Sequence, residues 1–117
     1  MSPTARRLSP LLLGAVLATC SKGATAPGAA HTLTVSVRDD IFVPKVDSVS
    51  VGDTVTWVWS GAQLHDLAFQ DSIGNVAAQT SGSARRVFTA PGIYLYRCTL
   101  HSTDFVTGSM IGSVAVY

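Results

Sequence analysis

A thiol, two imidazoles and a thioether are the side chains of this sequence best suited to chemistry. Cys98 and His101 stand together in Tyr94-Leu95-Tyr96-Arg97-Cys98-Thr99-Leu100-His101, and Met110 follows after a loop in Gly108-Ser109-Met110-Ile111-Gly112. Thiolate, imidazole and thioether form a ligand set for copper, in particular for a site that exchanges single electrons. Such a site needs a second imidazole from elsewhere in the chain. His65 qualifies, because it follows a strand and a loop and precedes another strand. The candidate metal ligands are therefore His65, Cys98, His101 and Met110, and the candidate cofactor is one copper ion alternating between Cu(I) and Cu(II). Taken singly, each residue has a commoner role. A lone His is usually a polar loop residue, a buried Cys a small hydrophobe, and a Met at a strand edge core packing. The weight lies in the combination.

These side chains must be positioned by strands. From His31 onward the hydrophobic period is two: Leu33, Val35 and Val37 alternate with Thr32, Thr34, Ser36 and Arg38, the pattern of a half-buried strand. Asp39-Asp40 makes a turn. Residues 42–51 read as extended, with Pro44 marking an edge or bend. Gly52-Asp53 turns the chain into Thr54-Val55-Thr56-Trp57-Val58-Trp59, a run of strong β-formers. A loop at 60–63 leads to a short strand around Leu67-Ala68-Phe69, and another short strand is expected near Val76. Residues 84–89, 93–98 and 111–117 read as further strands, with Pro91-Gly92 as a turn. Seven or eight short strands with regularly spaced turns predict an all-β fold, an antiparallel Greek-key sandwich or barrel. Cys98 ends a strand whose same-face neighbours are Tyr94 and Tyr96, so its side chain is expected to point inward. A turn after that strand could return His101 beside the sulfur.

The N-terminal residues belong to a different kind of segment. Arg6 and Arg7 precede the apolar run Leu11-Leu12-Leu13-Gly14-Ala15-Val16-Leu17-Ala18. That run is too short for a permanent membrane span and reads as the core of an export signal. It ends at Leu17-Ala18-Thr19-Cys20, which resembles the lipobox of bacterial lipoproteins, with Thr19 in place of the usual Gly, Ala or Ser. The expected organisation is a signal peptide over 1–19, a lipid-anchored tether over 20–31 rich in small residues, and one folded domain over 32–117. Cys20 is then the lipidation site, the mature protein is tethered to a membrane, and it faces the periplasm or the cell exterior. With Cys20 outside the fold, Cys98 is an unpaired thiol in an oxidising compartment, a liability unless it is buried or bound.

Composition narrows the classes of function. The 117 residues suffice for one domain. Lys and Arg number 8 against 7 Asp and no Glu, so no basic stripe suggests nucleic acid and no acidic tract a polycation. Three His in all are too few for a copper oxidase or nitrite reductase, which need further metal centres. A zinc hydrolase is disfavoured by a soft donor set without an evident general base.

Three stretches together resemble the plastocyanin/azurin family of cupredoxins, in the style of its plastocyanin and pseudoazurin branch. Phe42-Val43-Pro44 with Val49-Ser50-Val51-Gly52-Asp53-Thr54-Val55-Thr56-Trp57 is similar to the family's F-x-P…V-x-x-G-D-T-V-x-W segment. His65-Asp66-Leu67-Ala68-Phe69 is similar to the stretch carrying its first copper ligand. Pro91-Gly92-Ile93-Tyr94-Leu95-Tyr96-Arg97-Cys98-Thr99-Leu100-His101 with Met110-Ile111-Gly112 is similar to P-G-x-Y-x-Y-x-C-x-x-H…M-x-G. The resemblance implies that His65, Cys98 and His101 are the strong copper ligands and Met110 the axial one. It also implies a backbone N–H after His65 donating to the thiolate, and an exit for the electron at His101 within an apolar docking patch.

Two departures from the family pattern stand out. Eight residues, Ser102 to Ser109, separate His101 from Met110, a longer gap than the family's usual one. Its length suggests a partner-recognition element. Asp66 stands where the family usually has Asn, and a carboxylate near copper favours Cu(II). Leu64, Leu67, Leu100, Phe105 and Ile111 are expected to keep water from the metal. Arg85-Arg86 is expected to be one solvated strand residue and its neighbour at an edge, and His31 to have no special role. The resulting expectation is a monomeric type 1 copper protein, not an enzyme, carrying electrons between redox protein partners. Two other readings share the chain's features: a copper storage or delivery protein using the same ligands, and a metal-free interaction module.

Overall fold

β-Branched and aromatic residues at alternate positions build strands, and the inward half of each alternation supplies the core. In a computed structural model, which describes residues 29–117, all regular structure among the described residues is strand. The strands are β1 (Thr32–Arg38), β2 (Ile41–Val43), β3 (Val46–Val49), β4 (Thr54–Trp59), β5 (His65–Phe69), β6 (Val76–Gln79), β7 (Gly82–Val87), β8 (Gly92–Arg97) and β9 (Ile111–Val116). They form a four-stranded sheet in the order β2-β1-β4-β7 and a five-stranded sheet in the order β3-β9-β8-β5-β6.

The all-β sandwich is as expected, but the strands number nine rather than seven or eight. The extra one arises within 42–51. That stretch is two strands divided at Pro44-Lys45, with β2 pairing β1 in one sheet and β3 pairing β9 in the other. Proline offers no N–H to a ladder, so pairing lapses there and the chain changes sheets. Nor is the pairing purely antiparallel. β1 runs parallel to β4, from Thr32 opposite Thr54 to Val37 opposite Trp59, and β3 runs parallel to β9. Parallel neighbours require long crossovers, and the intervening chain supplies them by passing between the sheets.

The core lies between the two sheets. Val35 and Val37 of β1, Val55, Trp57 and Trp59 of β4, Leu67 and Phe69 of β5, Tyr96 of β8, and Val114 and Val116 of β9 all point into it. Trp57 packs edge-on against Phe69 and Tyr96, with ring centroids 5.2 and 5.3 Å apart, and Phe42 meets Tyr96 at 4.8 Å. Edge-to-face aromatic contacts of this kind add to the area they bury. Burial pushes the Tyr96 phenol up to about 12, so it stays neutral. Gly112 lies opposite Tyr96, and a Cβ there would collide with the phenol ring. Its glycine is what lets the ring lie flat on the sheet.

Arg85 is exposed on the edge strand β7, and its neighbour Arg86 is half-buried. The Arg86 guanidinium sits over the rings of Phe69, Phe88 and Tyr94 at 4.6, 4.7 and 5.0 Å and pairs with Asp71 at 2.5 Å. Arg85, one residue away, faces outward. The period of two separates their fates.

Candidate metal centre

The start of β5, the end of β8 and the start of β9 meet at one end of the sandwich, and the donor residues follow from strand alternation. His65 shares the inward face of β5 with Leu67 and Phe69. Cys98 continues the inward series Tyr94, Tyr96 one residue past β8. Met110 precedes the inward series Gly112, Val114, Val116 of β9. His101 lies on the turn after β8, where its N–H donates to the Cys98 carbonyl at 3.3 Å.

Three of the four predicted donors converge. His65 Nδ1 and His101 Nδ1 are 3.2 Å apart, and the Cys98 Sγ lies 3.4 Å from the second and 3.8 Å from the first. Among the described residues, His65, Cys98 and His101 form a group able to hold a metal ion. The fit can be checked from the triangle itself. A point equidistant from its three corners lies about 2 Å from each, the length of a first-row metal–imidazole bond. Two imidazoles and a thiol are also the donor types that copper takes. His65 and Cys98 are fully buried, whereas the His101 side chain keeps 24% of its surface exposed.

Met110, the fourth candidate, is fully buried beside this group. Its carbonyl accepts the Cys98 N–H at 3.0 Å, and its own N–H donates to Ser102 Oγ at 3.0 Å. The eight-residue loop is thus closed at its base despite its length. Within the loop, the Asp104 carboxylate accepts N–H bonds from Val106 and Thr107 at 2.7 and 2.5 Å, and the Thr107 hydroxyl at 2.6 Å. The guanidinium of Arg97 covers the Phe105 ring at 5.0 Å and donates to the Ser102 carbonyl at 2.5 Å.

The sulfur's surroundings set its chemistry. Burial pushes the Cys98 thiol up, while the backbone N–H groups of Asp66 and Leu100 act to lower it. Without a cation the buried sulfur favours the thiol; a bound metal would favour the thiolate. The Asp66 carboxylate accepts the Thr99 N–H at 2.6 Å and also the Thr99 hydroxyl. It ties the β5 side of the site to the β8 side.

Some expectations about the shell need correction. Leu67 is buried, but Leu64 and Leu100 are more than half exposed and line the rim rather than the interior. The strand pattern explains this: Leu64 falls out of phase with His65, and Leu100 lies on the outside of the turn that folds His101 inward. Cys20 and the signal and tether segments fall mostly outside the described residues.

The reading of sequence missed the outer partners of the two imidazoles. Asp39 Oδ1 lies 3.0 Å from His65 Nε2, and Asp40 Oδ1 lies 3.4 Å from His101 Nε2. In sequence the pair Asp39-Asp40 reads only as a turn. The available signal was its place at the end of β1, which the β1–β4 pairing brings to the same end of the sandwich as Trp59 and His65.

Neither a protein-family model nor a curated protein matches the sequence. Solved structures do. A purple cupredoxin from Nitrosopumilus maritimus is 22% identical, with TM-score 0.60, over 73% of this chain and 99% of that one. Oxidised plastocyanin from Dryopteris crassirhizoma is 20% identical, with TM-score 0.62, over 72% and 99%. A mutant amicyanin with Cu(I) is 25% identical, with TM-score 0.61, over 74% and 82%. With nine strands in two mixed sheets and a buried His-Cys-His group at one end, the chain has a cupredoxin-like fold.

Proposed function

We propose that this chain would bind one copper ion through His65 Nδ1, Cys98 Sγ and His101 Nδ1, with Met110 as a weaker thioether ligand, and carry single electrons between redox protein partners. The convergence of these three donor atoms within 4.8 Å of one another is the observation that carries the reading. Copper held there would supply a Cu(I)/Cu(II) couple. The chain's own part is to fix the donors in advance. His65 and Cys98 are held by strand alternation and full burial, which limits rearrangement and excludes water. His101 is the one donor with a solvent-facing edge, and it is the proposed route for the electron. Full burial of the other two leaves no open approach for a substrate, which favours a carrier over an enzyme. The place of work is proposed to be extracytoplasmic, with the chain tethered to a membrane by lipid on Cys20. That location also accounts for an unpaired thiol kept wholly buried.

The test is spectroscopic. Purified protein given Cu(II) should develop an intense thiolate-to-copper absorption band and a narrow copper hyperfine splitting in the EPR spectrum. Cys98→Ser should abolish the band while leaving the far-UV circular dichroism unchanged. Tight Cu(I) binding without a coloured Cu(II) form would replace electron transfer by copper storage or delivery. Binding of neither ion would overturn the copper assignment.

A further inference from the structure

The turn between β1 and β2 places two adjacent carboxylates behind the two imidazoles. Arg38 pairs with Ile41, so Asp39 and Asp40 alone make the reversal. Asp40 has φ of 63°, in the left-handed region that Asp tolerates better than most residues. Asp39 is anchored from across the site: its carboxylate accepts the N–H of Ala62 at 3.0 Å and that of Gln63 at 2.9 Å. The approach depends on Gly61, because a Cβ at that position would overlap the Asp39 side chain. The 60–64 loop is itself held shut by Trp59 Nε1, which donates to the His65 carbonyl at 2.8 Å.

A carboxylate only accepts hydrogen bonds. With Asp39 at 3.0 Å from His65 Nε2, that nitrogen carries the hydrogen, and Nδ1 keeps its lone pair. Nδ1 is also the nitrogen that faces Cys98 and His101. Outer carboxylates that fix a ligating imidazole in this way also make it a stronger donor. We propose that the Asp39–Asp40 turn is the outer clamp of the metal centre: Asp39 locks His65 with Nδ1 presented to the metal, and the two carboxylates together favour Cu(II) over Cu(I). Asp39 acts more strongly, being nearer its imidazole and less exposed, with 37% of its side-chain surface open against 57% for Asp40. Both are positioning residues, since they act through the imidazoles.

This inference rests on the copper reading, so its test has one arm that needs no copper. In the metal-free protein, ¹⁵N–¹H correlation of the imidazoles should show His65 with hydrogen on Nε2. Asp39→Ala should turn that into a mixture of tautomers. In the copper-loaded protein, Asp39→Asn should lower the ratio of Cu(II) to Cu(I) affinity about tenfold, a rise of about 59 mV in a one-electron potential. Asp40→Asn should shift it the same way by less. Asp53→Asn is the control: its carboxylate accepts two backbone N–H groups at the opposite end of the sandwich and touches neither candidate ligand imidazole, and it should leave the ratio unchanged. Hydrogen on Nδ1 in the metal-free protein, or an unchanged ratio in Asp39→Asn, overturns the clamp. Failure of the wild type to bind either copper ion overturns the copper reading instead, and the tautomer arm still decides the role of Asp39.

Discussion

Asp39 and Asp53 are built alike at opposite ends of the sandwich and do different things. Each follows a strand or turn, and each carboxylate gathers two backbone N–H groups from a neighbouring segment: Ala62 and Gln63 for Asp39, His31 and Ser50 for Asp53. Both are held below the ordinary carboxylate range, Asp39 at about 2 chiefly by the Gln63 N–H, and Asp53 chiefly by that of His31. The difference is one further partner. Asp39 also reaches the ring of a fully buried histidine, whereas Asp53 spends both oxygens on closing the fold. The same local device serves stability at one end and donor orientation at the other, and the neighbouring side chain decides which.

The largest effect should come from the core that joins the two ends. Trp57 is fully buried between them, against Phe69 and Tyr96. Trp57→Ala should cost about 3–5 kcal/mol. If one core supports both ends, denaturant unfolding followed at the far end and at the metal centre should shift together and stay coincident. Separate transitions would mean that the two clamps belong to independently stable halves.

A smaller change should act on the site end alone. Trp59→Phe removes the buried hydrogen bond to the His65 carbonyl, and leaving that acceptor unsatisfied should cost about 1–3 kcal/mol. The 60–64 loop loses its fastening with it. Hydrogen exchange should quicken at Ala62 and Gln63, the two amides that hold Asp39, and not at His31 and Ser50, which hold Asp53. Equal quickening at both ends would break the contrast.

The candidate centre was more legible in the sequence than its surroundings, for physical reasons. Cys98 and Met110 continue the period-two series of the strands beside them, and His65 begins one, so their inward direction follows from alternation alone. His101 lies three residues from Cys98, so a single turn brings them together. Asp39 lies 26 residues from His65, and only the β1–β4 pairing joins them, a parallel pairing that an antiparallel expectation hides. The same blind spot explains the strand count. Residues 42–51 read as one extended stretch with a bend at Pro44, and that bend alone does not say that the chain leaves one sheet there and enters the other. The stacking of Arg86 over Phe69, Phe88 and Tyr94 is likewise hidden, because Phe69 comes from β5, far from Arg86 in sequence.

Acid offers the gentlest way to separate the two ends. The Asp53 carboxyl lies below its ordinary value of 3.8, and Asp104, in the loop between His101 and Met110, lies at about 2, chiefly through the Thr107 hydroxyl. A carboxyl with a lowered pKa in the folded state binds fewer protons there than in the unfolded chain. Its contribution to stability is therefore complete above the ordinary carboxylate range and is lost as the pH falls through the folded-state value. The denaturant midpoint of the metal-free protein should fall steadily from pH 5 to pH 2. Asp53→Asn has no such proton to gain at the far end, so it should start lower at pH 5, fall less, and approach the wild type near pH 2. Parallel curves would show that Asp53 contributes nothing through its charge. The far clamp would then hold by shape alone, and charge would matter only where a carboxylate stands behind an imidazole.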